Sequence, residues 1–206
     1  MKILVDGEAA ANPTAGGEPL VELYRRAVAE LLAQGRTVVS TSVDGRILVE
    51  DELTKVLDGE SDGEALNLQT VATAELAGST LKEVAKHVAR LREGLRRAVD
   101  RLGADDRTGA LEAFRPTLEM WMAVCEAVQK VCIVIGHDVA ADLDGTSVAD
   151  EHRKIVDALG EIQSAFEQQD WVKLGDLLEY EMLPATDRWE AVVNRLLHKV
   201  QADGRA

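Results

Sequence analysis

Leu81, Val84, Val88, Leu91, Leu95, Ala98 and Leu102 recur at alternating steps of three and four. This is a heptad with both seam positions apolar over three heptads, the period of a helix that buries a single stripe. Thr80 with Glu83 three residues on has the form of a capping box and sets the expected start. Gly103 is the expected left-handed stop. A helix with one apolar stripe needs other helices to cover it, so this stretch demands a bundle.

The chain supplies those helices. Asp106 reads as a cap. Leu111, Phe114, Leu118, Trp121, Cys125, Val128, Cys132 and Ile135 then keep the heptad phase across Pro116, which predicts a kinked helix or a tight break. Residues 136–145 read as loop. Ser147 caps a helix carrying Ile155, Leu159, Ile162 and Phe166, and Asp170 caps one carrying Trp171, Leu174 and Leu178. Pro184 interrupts, and Ala185, Trp189, Val192, Leu196 and Val200 carry the last stripe. Residues 202–206 are expected to fray. A shift of 68 residues lays this region on itself. Ser79, Glu83, Lys86, Val88, Leu91 and Glu93 fall on Ser147, Glu151, Lys154, Val156, Leu159 and Glu161, and Pro116 and Trp121 fall on Pro184 and Trp189. Two helical hairpins, 79–135 and 147–201, side by side make a mainly antiparallel four-helix bundle, with an internal duplication as its possible origin.

Residues 1–72 have a different grammar. A short apolar strand precedes Asp6-Gly7, a hairpin turn pair, and a weak strand over 8–11. Residues 12–17 read as loop. Pro19 opens a helix striped by Leu20, Leu23, Tyr24, Ala27, Val28, Leu31 and Leu32, and Gly35 stops it. A β-branched strand over 37–43, a second hairpin signal at Asp44-Gly45, an acidic turn or helix over 50–57 and a strand over 66–71 complete the head. This element order resembles the β-grasp, the ubiquitin-like plan. A ferredoxin-like half with three strands is the competing reading. The expected fold is therefore α+β, a β-grasp-like head over 1–72 followed by a helical bundle over 73–206.

Charge narrows the partners. The 206 residues carry a net −14, with 6 basic and 13 acidic groups in the first 72 residues and 17 and 24 in the rest. Both parts repel a polyanion, so neither nucleic acid nor an anionic membrane is an expected partner. Aromatics are 3%, too few for base-stacking platforms. The longest uninterrupted apolar run, 131–135, is far too short to span a bilayer. MKILVDGE lacks the apolar core of a signal peptide. A cytoplasmic location is expected, and Cys125 and Cys132, a helical seven apart, are expected as buried free thiols.

Catalytic signatures are lacking: no phosphate-binding glycine loop and no Gly-x-Ser-x-Gly elbow. No cofactor is expected. Glu83 and His87 share a helix face and could bind a metal, but a di-iron bundle needs recurring Glu-x-x-His pairs. In the loop Asp138, Asp142, Asp144 and Gly145 only the last three match a calcium loop. The clearest local anomaly is a sign inversion. Lys82, Lys86, Arg90, Arg92, Arg96, Arg97 and Arg101 ride one helix of an acidic protein. They either pair with acidic neighbours such as Asp157, Glu161 and Glu167 or form a docking face for an acidic partner or a second copy. Met120, Met122 and Val134 add an apolar surface beside the seam, and a closed dimer is the commonest way to bury one.

Asp170, Leu174, Asp176, Leu177, Leu178, Glu179, Tyr180, Glu181, Pro184 and Trp189 carry a resemblance. This stretch resembles the C-terminal part of an uncharacterised bacterial family that joins a β-grasp-like head to a helical bundle, loosely similar to flagellar-type export chaperones. The resemblance implies a chaperone or adaptor with a protein partner. The lack of catalytic signatures makes a non-enzymatic interaction module the expectation, and the basic face with the apolar surface of residues 117–135 makes a homodimer the expected state. A ligand- or metal-binding bundle is the alternative.

Overall fold

The computed structural model describes residues 1–10, 19–60 and 63–203. The loop expected over 12–17 and the last three residues of the expected fraying end lie outside them. The protein is α+β and divides into two compact units, Met1–Leu76 and Ala77–Ala206.

The first unit is a five-stranded mixed sheet with two helices. Its elements are β1 (Lys2–Val5), β2 (Glu8–Ala9), α1 (Leu20–Ala33), β3 (Arg36–Val43), β4 (Arg46–Ile47), α2 (Glu50–Leu57) and β5 (Ala65–Ala72). The strand order is β2-β1-β5-β3-β4, with β5 parallel to β1 and antiparallel to β3. Five strands, not three, leave no place for the ferredoxin-like half. Both hairpin signals form turns: Asp6 and Gly7 have φ of 52° and 87°, Asp44 and Gly45 49° and 86°. That pair of positive values is what Asp-Gly tolerates. The turn aspartates also clamp β5. Asp6 Oδ1 accepts from the Thr70 amide at 2.8 Å, and its Oδ2 accepts from Thr70 Oγ1 and Arg36 Nη2, each at 2.8 Å. Asp44 Oδ1 accepts from the Ala65 amide at 3.1 Å. The Thr70 amide and hydroxyl, with Arg36 beside them, hold the Asp6 carboxyl below its ordinary pKa. The buried cluster is small: Leu31, Leu48, Val56, Leu66 and Leu68, ringed by half-buried residues such as Ile3, Tyr24 and Val38.

The second unit is helical. α3 (Thr73–Gly103) and α4 (Arg107–Val134) form one hairpin. α5 (Val148–Glu167), short α6 (Trp171–Asp176), a π turn (Leu177–Met182) and α7 (Leu183–Asp203) form the other. The heptad residues Leu81, Val84, Val88, Leu91, Leu95 and Ala98 are all buried. Two boundaries differ from expectation. α3 starts seven residues before Thr80, directly after β5, and Ala77 is already buried. The left-handed residue after α3 is Asp105, with φ 56°, not Gly103. Pro116 sits inside an unbroken α4. A proline removes the donor to the carbonyl four residues back, and that residue, Glu112, faces solvent.

Packing contacts order the helices. A Cβ on Gly94 would lie 2.2 Å from Thr117 Oγ1, so the absence of a side chain lets α3 and α4 approach closely there. Between α5 and α7 the link is ionic. Glu151, 3% exposed, accepts from Thr146 Oγ1 at 2.9 Å, Lys154 Nζ at 2.8 Å and Arg188 Nε at 2.9 Å. Burial alone would push its carboxyl up, but the bonds from Lys154, Thr146 and Arg188 outweigh that and hold it below its ordinary pKa.

Candidate functional site

α3 is amphipathic, so its apolar stripe fixes which side chains meet water. Lys82, Lys86, Arg90, Arg96, Arg97 and Arg101 are all exposed, as the periodicity requires. Two of the six are occupied locally. Lys86 Nζ lies 2.6 Å from Glu83 Oε1, and Arg101 Nη1 lies 2.6 Å from Asp106 Oδ2. Among the described residues no carboxylate forms an ion pair with Lys82, Arg90, Arg96 or Arg97. Arg92, the seventh cation, turns to the flank and bonds Asp187 at 2.5 Å and Glu190 at 2.7 Å on α7. Glu190, with Asp187, holds its guanidinium more firmly charged than usual, against some desolvation. The expected neighbours are not the partners: Glu161 pairs with Lys173 of α6 instead.

Contacts along α3 fix what lies beside this face. α7 runs antiparallel to it: a Cβ on Gly78 would lie 4.0 Å from Val200 Cγ1, Arg92 meets Asp187, and a Cβ on Gly175 would lie 3.9 Å from Leu102 Cδ1. The π turn is therefore level with the C-terminal half of α3. It carries Glu179, Tyr180 and Glu181 on the surface, with Asp176 just before them, and Tyr180 is 65% exposed.

The apolar part of the expected surface is thinner than the sequence suggests. Met122 is 65% exposed, but Met120 and Val134 are half-buried, and Val124 and Val131 are core. Ile133 is 74% exposed. Met122 and Ile133 are eleven residues apart, roughly 16 Å along the helix, with the Glu126–Lys130 ion pair at 2.7 Å between them. They do not form one contiguous patch.

Of the remaining chemical candidates, all but His87 have structural occupations. Lys86 takes Glu83; its hydrogen bond and charge, with His87 and Arg90 adding, lower the Glu83 pKa. His87 is half-buried and its Nδ1 has no partner. No cluster of three or more metal-ligating residues occurs among the described residues. In the acidic loop Asp138 Oδ1 accepts from the Ala140 amide and Asp142 Oδ1 from the Gly145 amide. Cys125 and Cys132 are buried free thiols, pushed by desolvation up to about 12 and about 11. Such thiols are poor nucleophiles at neutral pH. No helix among the described residues is long and apolar enough to cross a membrane.

A family model described as a domain of unknown function, DUF8042, matches residues 79–192. The chain belongs to the DUF8042 family. The match spans most of α3, all of α4, α5, α6 and the π turn, and the first half of α7, so the DUF8042 segment includes the face described above. No curated protein and no solved structure matches the chain.

Sequence reasoning missed the π turn. Its only trace is a count: ten residues separate the cap Asp106 from Pro116, and fourteen separate Asp170 from Pro184.

Proposed function

We propose that this chain is a non-enzymatic protein-interaction module, a bacterial chaperone or adaptor of the cytoplasm, whose docking surface is the solvent face of α3. We read its head as a β-grasp. We read its second unit as a four-helix bundle in which α6, the π turn and α7 act as one rod. The observation that supports docking is the set of four exposed cations that form no ion pair with a carboxylate among the described residues, in a chain of net −14. Selection against wasted charge does not explain them, because nearby cations on the same helix do find partners. A face of this kind favours an acidic protein surface and speeds its capture. Against the metal-binding alternative stands Lys86 on Glu83, which occupies the carboxylate that site would use.

The test is an anisotropy titration of full-length protein with a labelled poly-glutamate peptide at physiological salt. Binding should weaken at least about tenfold, or about 1.4 kcal/mol, in Lys82→Glu/Arg90→Glu/Arg97→Glu. Equal binding by both proteins, or none by a monomeric wild type, removes α3 as the docking face.

A further inference from the structure

Two patches of opposite sign lie at one level along α3 and its neighbour α7, and neither forms an ion pair with a residue of opposite charge among the described residues. The first is Arg90, Arg96 and Arg97 on α3. The second is Asp176, Glu179 and Glu181 at the π turn, none of which forms an ion pair with a cation among the described residues. Between the last two stands Tyr180, 65% exposed, with a face that accepts a guanidinium. The contacts Arg92–Asp187 and Leu102–Gly175 put the patches at the same level along the helix pair.

We infer that the α3 face docks a second copy of this chain, the cations of each copy lying on the acidic π turn and Tyr180 of the other. This rests on the docking role proposed for α3 and names its partner. Symmetry supports the choice. A two-fold axis in the interface, running between the patches and parallel to α3, exchanges their positions. Every basic patch then meets an acidic one, and the contact forms twice in a closed dimer. An unrelated acidic protein would use the cations and leave the π turn idle; a second copy uses both. π turns are rare and frequently mark functional positions. This one also widens the helix where Tyr180 projects.

Light scattering during gel filtration tests this with two variants, Arg96→Glu/Arg97→Glu and Glu179→Arg/Glu181→Arg. Wild-type protein at ~50 µM, where a micromolar dimer is well populated, should show twice the 22.3 kDa chain mass. Each variant alone brings like charges together in both contacts and should run as a monomer. An equimolar mixture restores both contacts and should return to the dimer mass. Unchanged melting curves show that the variants fold, and recovery in the mixture shows the same independently. A wild-type monomer, a dimer indifferent to both variants, or a mixture that stays monomeric overturns the inference. A wild-type monomer that still binds poly-glutamate through α3 leaves the docking role standing with a foreign partner. One that does not bind it removes both.

Discussion

The two helical hairpins of the second unit turn in the same way and then diverge. After α3, Asp105 takes φ 56°, the Asp106 amide donates to the Arg101 carbonyl, and Asp106 Oδ1 caps the Gly109 amide at 2.9 Å. After α5, Gln169 takes φ 56°, the Asp170 amide donates to the Ala165 carbonyl, and Asp170 Oδ1 caps the Lys173 amide at 2.9 Å. These turns match with a shift of 64 residues. Beyond the prolines the match needs 68. There Thr117, Trp121, Val124, Cys125, Val128 and Cys132 fall on Ala185, Trp189, Val192, Val193, Leu196 and Val200, all buried. The second hairpin therefore holds four extra residues between cap and proline, about one helical turn. Four residues advance a helix face by about 40°. A π turn winds the chain less per residue than an α turn, so it rotates the following helix in the opposite sense. The first hairpin crosses its proline with no such device. The difference teaches that the register between the two hairpins is local: each segment keeps the phase of its nearest fixed point.

The largest test of that lesson lies in the core. At a shift of 68, Leu91 falls on Leu159; at 64 it falls on Ile155. Burial favours the turn's register, because Leu91 and Ile155 are buried and Leu159 is only half-buried. Val88 and Val156, paired at 68, are 1% and 52% exposed. Leu91→Ala and Ile155→Ala should each cost about 2–5 kcal/mol, and Leu159→Ala about 1 kcal/mol, by denaturant titration. An Ile155 cost no larger than that of Leu159 would remove the 64-residue register from α5, because only at 64 does Ile155 match the buried Leu91.

The hairpins also differ in polarity at their buried contacts. α3 and α4 meet at Gly94 and Thr117, while α5 and α7 meet around ionised Glu151. The Glu151 pKa is lowered by folding, so its contribution is fully present above the ordinary glutamate range and is lost as pH falls through the lowered value. Glu151→Gln should cost about 1.5–3 kcal/mol at neutral pH. The gap to wild type should close below about pH 4, near and under the ordinary glutamate pKa. Melting curves across pH check this; a gap constant down to acid pH would mean that Glu151 acts by shape and not by charge.

How much of this was legible follows from the same physics. The heptad from Leu81 to Ala98 was legible because one buried stripe leaves a period in the sequence, and both Asp-Gly turns because so few residue pairs accept two positive φ values. The start of α3 was not. Thr80 and Glu83 have the form of a cap, and form alone does not say that the helix is already running from Thr73. Gly35 after α1 was a legible stop, with φ 71°, but the stops of α3 and α5 were not, because there the structure uses Asp105 and Gln169 in place of glycine. The four basic residues of the proposed docking face were legible as cations. That none of them forms an ion pair among the described residues was not, since it depends on where Asp187, Glu190 and Glu161 fall in space.

The smallest effect is the one the two hairpins should share. Asp106 and Asp170 make the same capping bond at the same distance, so replacing either by alanine should cost about 1 kcal/mol. Their surroundings differ in one respect: Asp106 also takes the Arg101 guanidinium at 2.6 Å, whereas Lys173, beside Asp170, goes to Glu161. That exposed pair adds only a few tenths of a kcal/mol, screened by salt. Asparagine keeps the cap and drops the charge. Asp170→Asn should therefore be nearly neutral, and Asp106→Asn should lose those few tenths at low salt and recover them at high salt. Unequal alanine costs that persist at high salt would show that the two turns share a shape but not an energy, and that the 64-residue match describes geometry alone.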